Sequence, residues 1–167
     1  MKLLSEATCT ERTAKDDRAA GIIILWRKDT WSLIEPPTVH VQGRAATIHL
    51  LSSIDHLSYK FSNVYAPQRS LSVNTRREFC NKFTDGIATI AHDRPHFVCG
   101  DFNGPPLEYS RNTTIDPNTT TLTRMEEMCK LTRISPNQDS FFWANKKDTN
   151  LREINWPLVK DDAERFD

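Results

Sequence analysis

The sequence predicts a layered domain of mixed strands and helices, α/β or α+β in class. Three observations carry that prediction. Short apolar runs rich in β-branched residues recur between polar breaks, as in "AAGIIILW" (19–26) and "RAATIHLL" (44–51). Two longer segments, 75–92 and 121–131, repeat apolar residues at helical spacing. Proline- and asparagine-bearing stretches, Pro36-Pro37 and 104–120, punctuate them. Strands and helices interspersed in one chain pack as layers over a shared core.

Taken in order, "AAGIIILW" is bounded by charge and reads as a buried strand. Pro36-Pro37 separate it from the second strand, "RAATIHLL". "YKFSNVYAP" (59–67) alternates polar and apolar residues and stops at Pro67, as a strand does. Over 75–92 the residues Phe79, Phe83, Ile87 and Ile90 form one apolar stripe, Thr75 and Glu78 have capping-box spacing, and His92 closes the helix. "HFVCGDF", from His96, is a strand, and the polar stretch 104–120 a loop. The segment 121–131 is a second helix with Leu122, Met125 and Cys129 on one side. "SFFWAN" (140–145) and "INWPLV" (154–159) complete the strands. Trp26, Trp143 and Trp156 pack between layers, and Trp31 falls in a loop or hairpin.

The chain has 167 residues, enough for one domain with a real core. A 38% hydrophobic and 26% charged composition excludes a disordered chain. The 22 basic and 22 acidic residues cancel, so no overall basic charge points to nucleic acid. Arg27-Lys28, Arg76-Arg77 and Lys146-Lys147 are local basic pairs that suit phosphates, although such pairs more often form a solvated face. No apolar run approaches the ~20 residues of a membrane span. The opening "MKLLSEATCTERTAKDDR" lacks the apolar stretch of a signal peptide. The expectation is an intracellular protein that contacts no membrane, with the nucleus left open as its compartment. The "NTT" triplets at Asn112 and Asn118 then carry no glycosylation meaning. Cys9, Cys80, Cys99 and Cys129 form no C-x-x-C pair, so reduced thiols are expected rather than zinc.

The chemistry concentrates in "HFVCGDFNGPP" (96–106). Asp101 ends an apolar strand, at a sheet edge of the kind where open α/β folds place ligands. Asn103 projects to the same side if the extended conformation continues. A carboxylate and an amide suit a hard cation such as Mg²⁺ and can position water or an anionic substrate. Gly100 permits close approach of another backbone or a ligand. Gly, Asp, Asn and Pro are equally the residues of an ordinary turn. In "NVYAPQ" (63–68), Tyr65 stands at the end of a second strand, and packing is the commoner use of such an aromatic.

Together, "AAGIIILW", "NVYAPQ" and "CGDFN" in this order resemble the endonuclease/exonuclease/phosphatase superfamily, the DNase I-like fold, and among its members the endonuclease domains of LINE-type retrotransposons. The resemblance spans about residues 20–160 and implies a poorly defined segment over 1–18, a partial domain over 19–160 and a tail over 161–167. It implies Mg²⁺- or Mn²⁺-assisted phosphodiester hydrolysis on DNA with no small-molecule cofactor. Asp101, Asn103 and Tyr65 match the catalytic positions, Asn63 a substrate-binding position beside Tyr65, and Asp101 also a metal-side role. The second metal carboxylate falls on Glu6 in "LLSEATCTE" (3–11), with Glu11 a weaker match.

Other family features have no counterpart. The asparagine-bearing first strand is absent, and "REINWPLV" (152–159) carries Asn155 at the aspartate position and Glu153 at the arginine position. No terminal "SDH" follows; "SIDH" (53–56) is misplaced for it, which makes His56 a surface histidine. "GDF" is not the kinase "DFG", since no glycine-rich loop accompanies it. The expected fold is therefore DNase I-like but incomplete. Two functional readings follow: a weakened endonuclease-like phosphodiesterase, or a non-catalytic remnant that folds and at most binds nucleic acid or a protein. A phosphatase or nucleotide-binding module of the same fold stands as a third, because fold does not fix substrate.

Overall fold

The computed structural model describes residues 5–10, 21–90, 94–104, 116–133, 143–144, 151–152 and 158–160, of which 5–10, 132–133, 143–144, 151–152 and 158–160 are described by backbone alone. In chain order the elements are β1 (Ser5–Thr10), β2 (Ile22–Arg27), β3 (Trp31–Leu33), β4 (Thr38–Val41), β5 (Ala45–Ser52), β6 (Ser58–Tyr65), α1 (Val73–Thr89), β7 (His96–Asp101), α2 (Pro117–Cys129), β8 (Leu131–Arg133), β9 (Trp143–Ala144), β10 (Leu151–Arg152) and β11 (Leu158–Lys160).

A seven-stranded sheet runs β3-β5-β6-β7-β11-β8, with β4 also paired to β5. Strands β6 and β7 are parallel, joined through α1; every other pairing is antiparallel. A parallel pair needs a crossover, and α1 is amphipathic enough to supply it, burying Phe79, Phe83 and Ile87 on one stripe. Strands β1 and β2 form a separate pair, as do β9 and β10.

Alternation along β6 divides the packing. Val64, with Ala45 its register partner on β5, faces the helices and joins Val98, Phe83, Phe102, Leu122 and Met125 in one core. Tyr59 and Phe61 point to the other face, with Leu50 and Ile48 as their register partners. There Trp26 of β2 closes a second core on Ile48 and Leu50. Full burial of a side chain such as Phe83 stabilises by about 2–3 kcal/mol. Strand β2 turns Ile22 and Trp26 inward and leaves Ile23 and Leu25 exposed on its outer side.

The helix-covered face also holds a polar chain. His40 Nε2 lies 2.7 Å from Thr47 Oγ1, Thr47 Oγ1 lies 2.5 Å from Ser62 Oγ, and Ser62 Oγ lies 2.8 Å from His96 Nε2. Buried polar groups persist when paired in this way. Helix α1 approaches the chain at Gly86, where a Cβ would stand 2.5 Å from the His40 ring. Burial pushes the His40 imidazole down to about 4.

Several sequence expectations are corrected. Helix α1 starts earlier than 75, capped by Ser72, whose Oγ accepts from Thr75 N at 3.1 Å; Thr75 and Glu78 form no capping box. Helix α2 starts at Pro117, four residues inside the expected loop, with Asp116 as its cap. Trp31 lies in β3 and stacks edge-on against Tyr59 and Phe61. The segment 1–18 contains β1. The readings placed on His92, Lys146-Lys147, Glu153, Asn155 and Trp156 lie outside the described residues. Among the described residues no helix is long and apolar enough to cross a membrane.

Candidate functional site

The site is built where β6 and β7 end together. Tyr65 and Asp101 are register partners on these parallel strands, and the pair before them on the same face is Asn63 and Cys99. One further ladder bond, Ala66 N to Asp101 O at 2.8 Å, holds the two exits side by side. Gly100 makes this approach possible. Its φ is +140°, and a Cβ there would overlap the carbonyl of Val64 on the neighbouring strand.

Beyond Asp101 the chain turns. Asn103 adopts φ +50° instead of continuing the strand, which corrects the extended geometry expected from sequence. Its N–H donates to Asp101 Oδ1 at 2.8 Å, an Asx-type turn, and its side-chain Nδ2 donates to Ala66 O at 2.7 Å. The turn chemistry and the site are thus one structure. Asp101 is partly buried, and loss of solvent raises its carboxyl above the usual range, opposed by the hydrogen bond from Asn103 N.

Tyr65 is held from three sides. Its backbone N donates to Arg44 O at 2.7 Å, Arg44 Nη1 donates to Tyr65 O at 3.0 Å, and the Arg44 guanidinium lies 5.5 Å from the Tyr65 ring centroid. Burial lowers the Arg44 pKa from its usual value. Gln68 Nε2 donates to the Tyr65 hydroxyl at 3.2 Å. Asn63 turns elsewhere: its Nδ2 donates to Ile23 O at 3.1 Å and ties β2 to β6.

Asp101 brings one half-desolvated carboxylate with a single hydrogen bond among the described residues. A hard cation suits that oxygen, since Mg²⁺ is commonly held by one or two carboxylates plus water and substrate phosphate. Among the described residues no three His, Cys, Asp or Glu side chains cluster to hold a metal ion. The backbone of Glu6 lies opposite Trp26, and that of Thr10 opposite Ile22. Glu6 therefore sits three residues along β2 from Ile23, the residue that Asn63 reaches, roughly 10 Å at strand rise.

Arg44, Gln68 and Asn118 were not singled out from sequence. Asn118, in the first turn of α2, donates from Nδ2 to Pro67 O at 2.8 Å and to Asn103 O at 3.2 Å. Only the "DPN" start of α2 hints at it, and that string also reads as a turn.

No family model matches the sequence, and no curated protein matches it. Solved structures do match the fold. The catalytic domain of human Nocturnin aligns with a TM-score of 0.64 at 10% identity, over 95% of this chain and 62% of that one. An endonuclease/exonuclease/phosphatase from Bacteroides vulgatus aligns with 0.64 at 13% identity, over 95% and 65%. The endonuclease domain of TRAS1, a telomere-specific non-LTR retrotransposon, aligns with 0.65 at 9% identity, over 95% and 68%. The fold is thus the DNase I-like α/β fold of endonuclease/exonuclease/phosphatase structures, as the strings "NVYAPQ" and "CGDFN" imply. The chain spans less than two thirds of the Nocturnin domain and of the Bacteroides vulgatus structure.

Proposed function

We propose that the chain is a retrotransposon-type, metal-assisted phosphodiesterase that cleaves DNA, acting in the nucleus. The observation that carries this is the pairing of Tyr65 and Asp101 at the joint end of two parallel strands, with Asn103 turned in beside them. In this reading Asp101 orients the attacking water, Asn103 contacts the scissile phosphate, Tyr65 presents its hydroxyl to it, and Asn63 lines the substrate path. Asp101 would hold Mg²⁺ or Mn²⁺, with Glu6 as the second carboxylate, and the cation would neutralise charge that builds on the phosphate. Arg44 keeps the Tyr65 ring in place through the contacts described above.

The test is nicking of supercoiled plasmid by the full chain. Cleavage is expected with Mg²⁺, absent in EDTA, and lost in Asp101→Ala. Activity that survives EDTA or that substitution overturns the assignment. Glu6→Gln is expected to raise the Mg²⁺ concentration needed for half-maximal nicking; an unchanged requirement removes Glu6 from the metal site.

One observation favours a non-catalytic, nucleic-acid- or protein-binding reading. The Asn63 and Asn103 side-chain amides both donate to backbone carbonyls, Ile23 O and Ala66 O. Plasmid retention on the protein without any nicking across Mg²⁺ and Mn²⁺ would select that reading.

A further inference from the structure

The strand ladder that joins the two exits ends at Ala66 N–Asp101 O, so Pro67 and Asn103 lie beyond its reach. One side chain spans them. Asn118 is fully buried, and its single Nδ2 group bonds both Pro67 O, after β6, and Asn103 O, after β7. We propose that Asn118 is the positioning residue of the site: it clamps the segment that follows Tyr65 to the loop carrying Asn103 and holds Asn103 in its left-handed conformation. The functional consequence rests on the phosphodiesterase reading; the clamp itself does not.

Three features support the clamp. A primary amide is the short neutral side chain that offers two N–H donors from one nitrogen, which two carbonyls on different loops require. The clamp is itself anchored, since Asn118 N donates to Asp116 Oδ1 at 2.9 Å and Asp116 pairs with Arg76 of α1. Loop 101–104 also lies directly on this residue, because a Cβ at Gly104 would stand 2.8 Å from Asn118 Cβ.

A fourth feature separates positioning from mere stability. Among the described residues, the buried Asn118 Oδ1 has no hydrogen-bond partner. An unpaired buried acceptor is a cost that a residue chosen for stability alone would avoid. Its side-chain bonds to the described residues all run from the donors, and they go to the pair of loops at the candidate site.

The test uses the full chain with Asn118→Asp, which keeps the shape but removes both donors, and Asn118→Ser, which keeps one shorter donor. Plasmid nicking with Mg²⁺ is measured per folded molecule, alongside amide NMR spectra of the metal-free proteins. In Asn118→Asp, kcat is expected to fall about 10- to 100-fold, as for a misplaced catalytic group, with KM unchanged. The Asn103 backbone and Nδ2 resonances shift in both variants, and Asn118→Ser regains part of kcat. A folded Asn118→Asp with wild-type kcat, or unmoved Asn103 resonances in either variant, overturns the proposal. If Asn118→Asp does not fold, the Asn103 resonances of Asn118→Ser decide in the same way. If the unsubstituted protein nicks nothing, the phosphodiesterase reading fails, and the resonances still decide the clamp.

Discussion

One face of β6 and β7 carries two chemistries along its length. At the far end Tyr59, Phe61 and Phe97 form an aromatic ladder, with Phe61 and Phe97 stacked at 5.4 Å and Trp31 edge-on to Phe61 at 5.6 Å. At the near end the same face presents Asn63, Tyr65, Cys99 and Asp101, partly exposed or exposed. The backbone geometry is common to both halves; what differs is whether a neighbour fills the space. Trp31 and the second core cover the aromatic half, whereas Asp101 is left poorly solvated with one hydrogen bond among the described residues. On the proposed reading, stability and chemistry are divided between the two ends of the same strands, and substitutions should separate them.

The largest effect belongs to the polar end. Asp101→Asn is expected to lower Mg²⁺-dependent nicking at least about 10³-fold, the usual scale for loss of a cooperating catalytic group. It should also raise the melting temperature of the metal-free protein at neutral pH. The folded-state carboxyl value is raised, so the folded protein favours the protonated form. The ionised group costs stability above that value, and stability recovers as pH falls through it toward the ordinary carboxylate range. A lower melting temperature in Asp101→Asn would break the division.

The aromatic end should behave in the opposite sense. Phe61→Ala is expected to cost about 3 kcal/mol, the low end for phenylalanine truncation because Phe61 is only partly buried. Its kcat per folded molecule should match the unsubstituted protein. Denaturant unfolding together with nicking checks both; a loss of kcat would show that the two ends are coupled.

The opposite face sharpens the comparison through pH. His40 sits at about 4 in the folded chain against an ordinary 6.5, so the unfolded chain takes up the proton first. Stability is complete above about pH 6.5 and declines as pH falls toward 4. The loss is on the order of 2 kcal/mol after allowance for partial exposure. His40→Gln should flatten that slope in unfolding curves between these values, and an unchanged slope would reassign it to other groups. The smallest effect is expected at Asn63. Removal of its bond to Ile23 O in Asn63→Ala should cost about 1 kcal/mol. If nicking falls as well, by more than the loss of folded protein, Asn63 acts on substrate in addition to bracing β2.

Much of this architecture was legible because periodicity extends over several residues. Strands β2, β5, β6 and β7 and the Phe79–Phe83–Ile87 stripe all announce themselves in the order of apolar residues. Strands β3 and β4 do not, since they are three and four residues long and largely exposed, too short to show an alternation. The cap of α1 was misread because Ser72 and Thr75 are both good caps three residues apart, and only the backbone decides between them. At the candidate site, the strand ends read from sequence place Tyr65 and Asp101 in register. Arg44 and Asn118 stayed hidden, because their partners lie 21 and 51 residues away and no local pattern encodes such contacts. The left-handed turn at Asn103 combines a local bond to Asp101 with tertiary bonds to Ala66 and Asn118, and only the first is visible in the string "GDFN".

Gly100 has a consequence for how related sequences should be compared. In any glycine codon, every single-base change in the first two positions introduces a side chain or a stop. At this position a side chain meets the Val64 carbonyl and forces β7 away from β6. A related sequence can therefore lose this strand pairing while its tyrosine, aspartate and asparagine codons remain intact. A comparison that scores only those three codons would miss the loss, and inspection of codon 100 would reveal it.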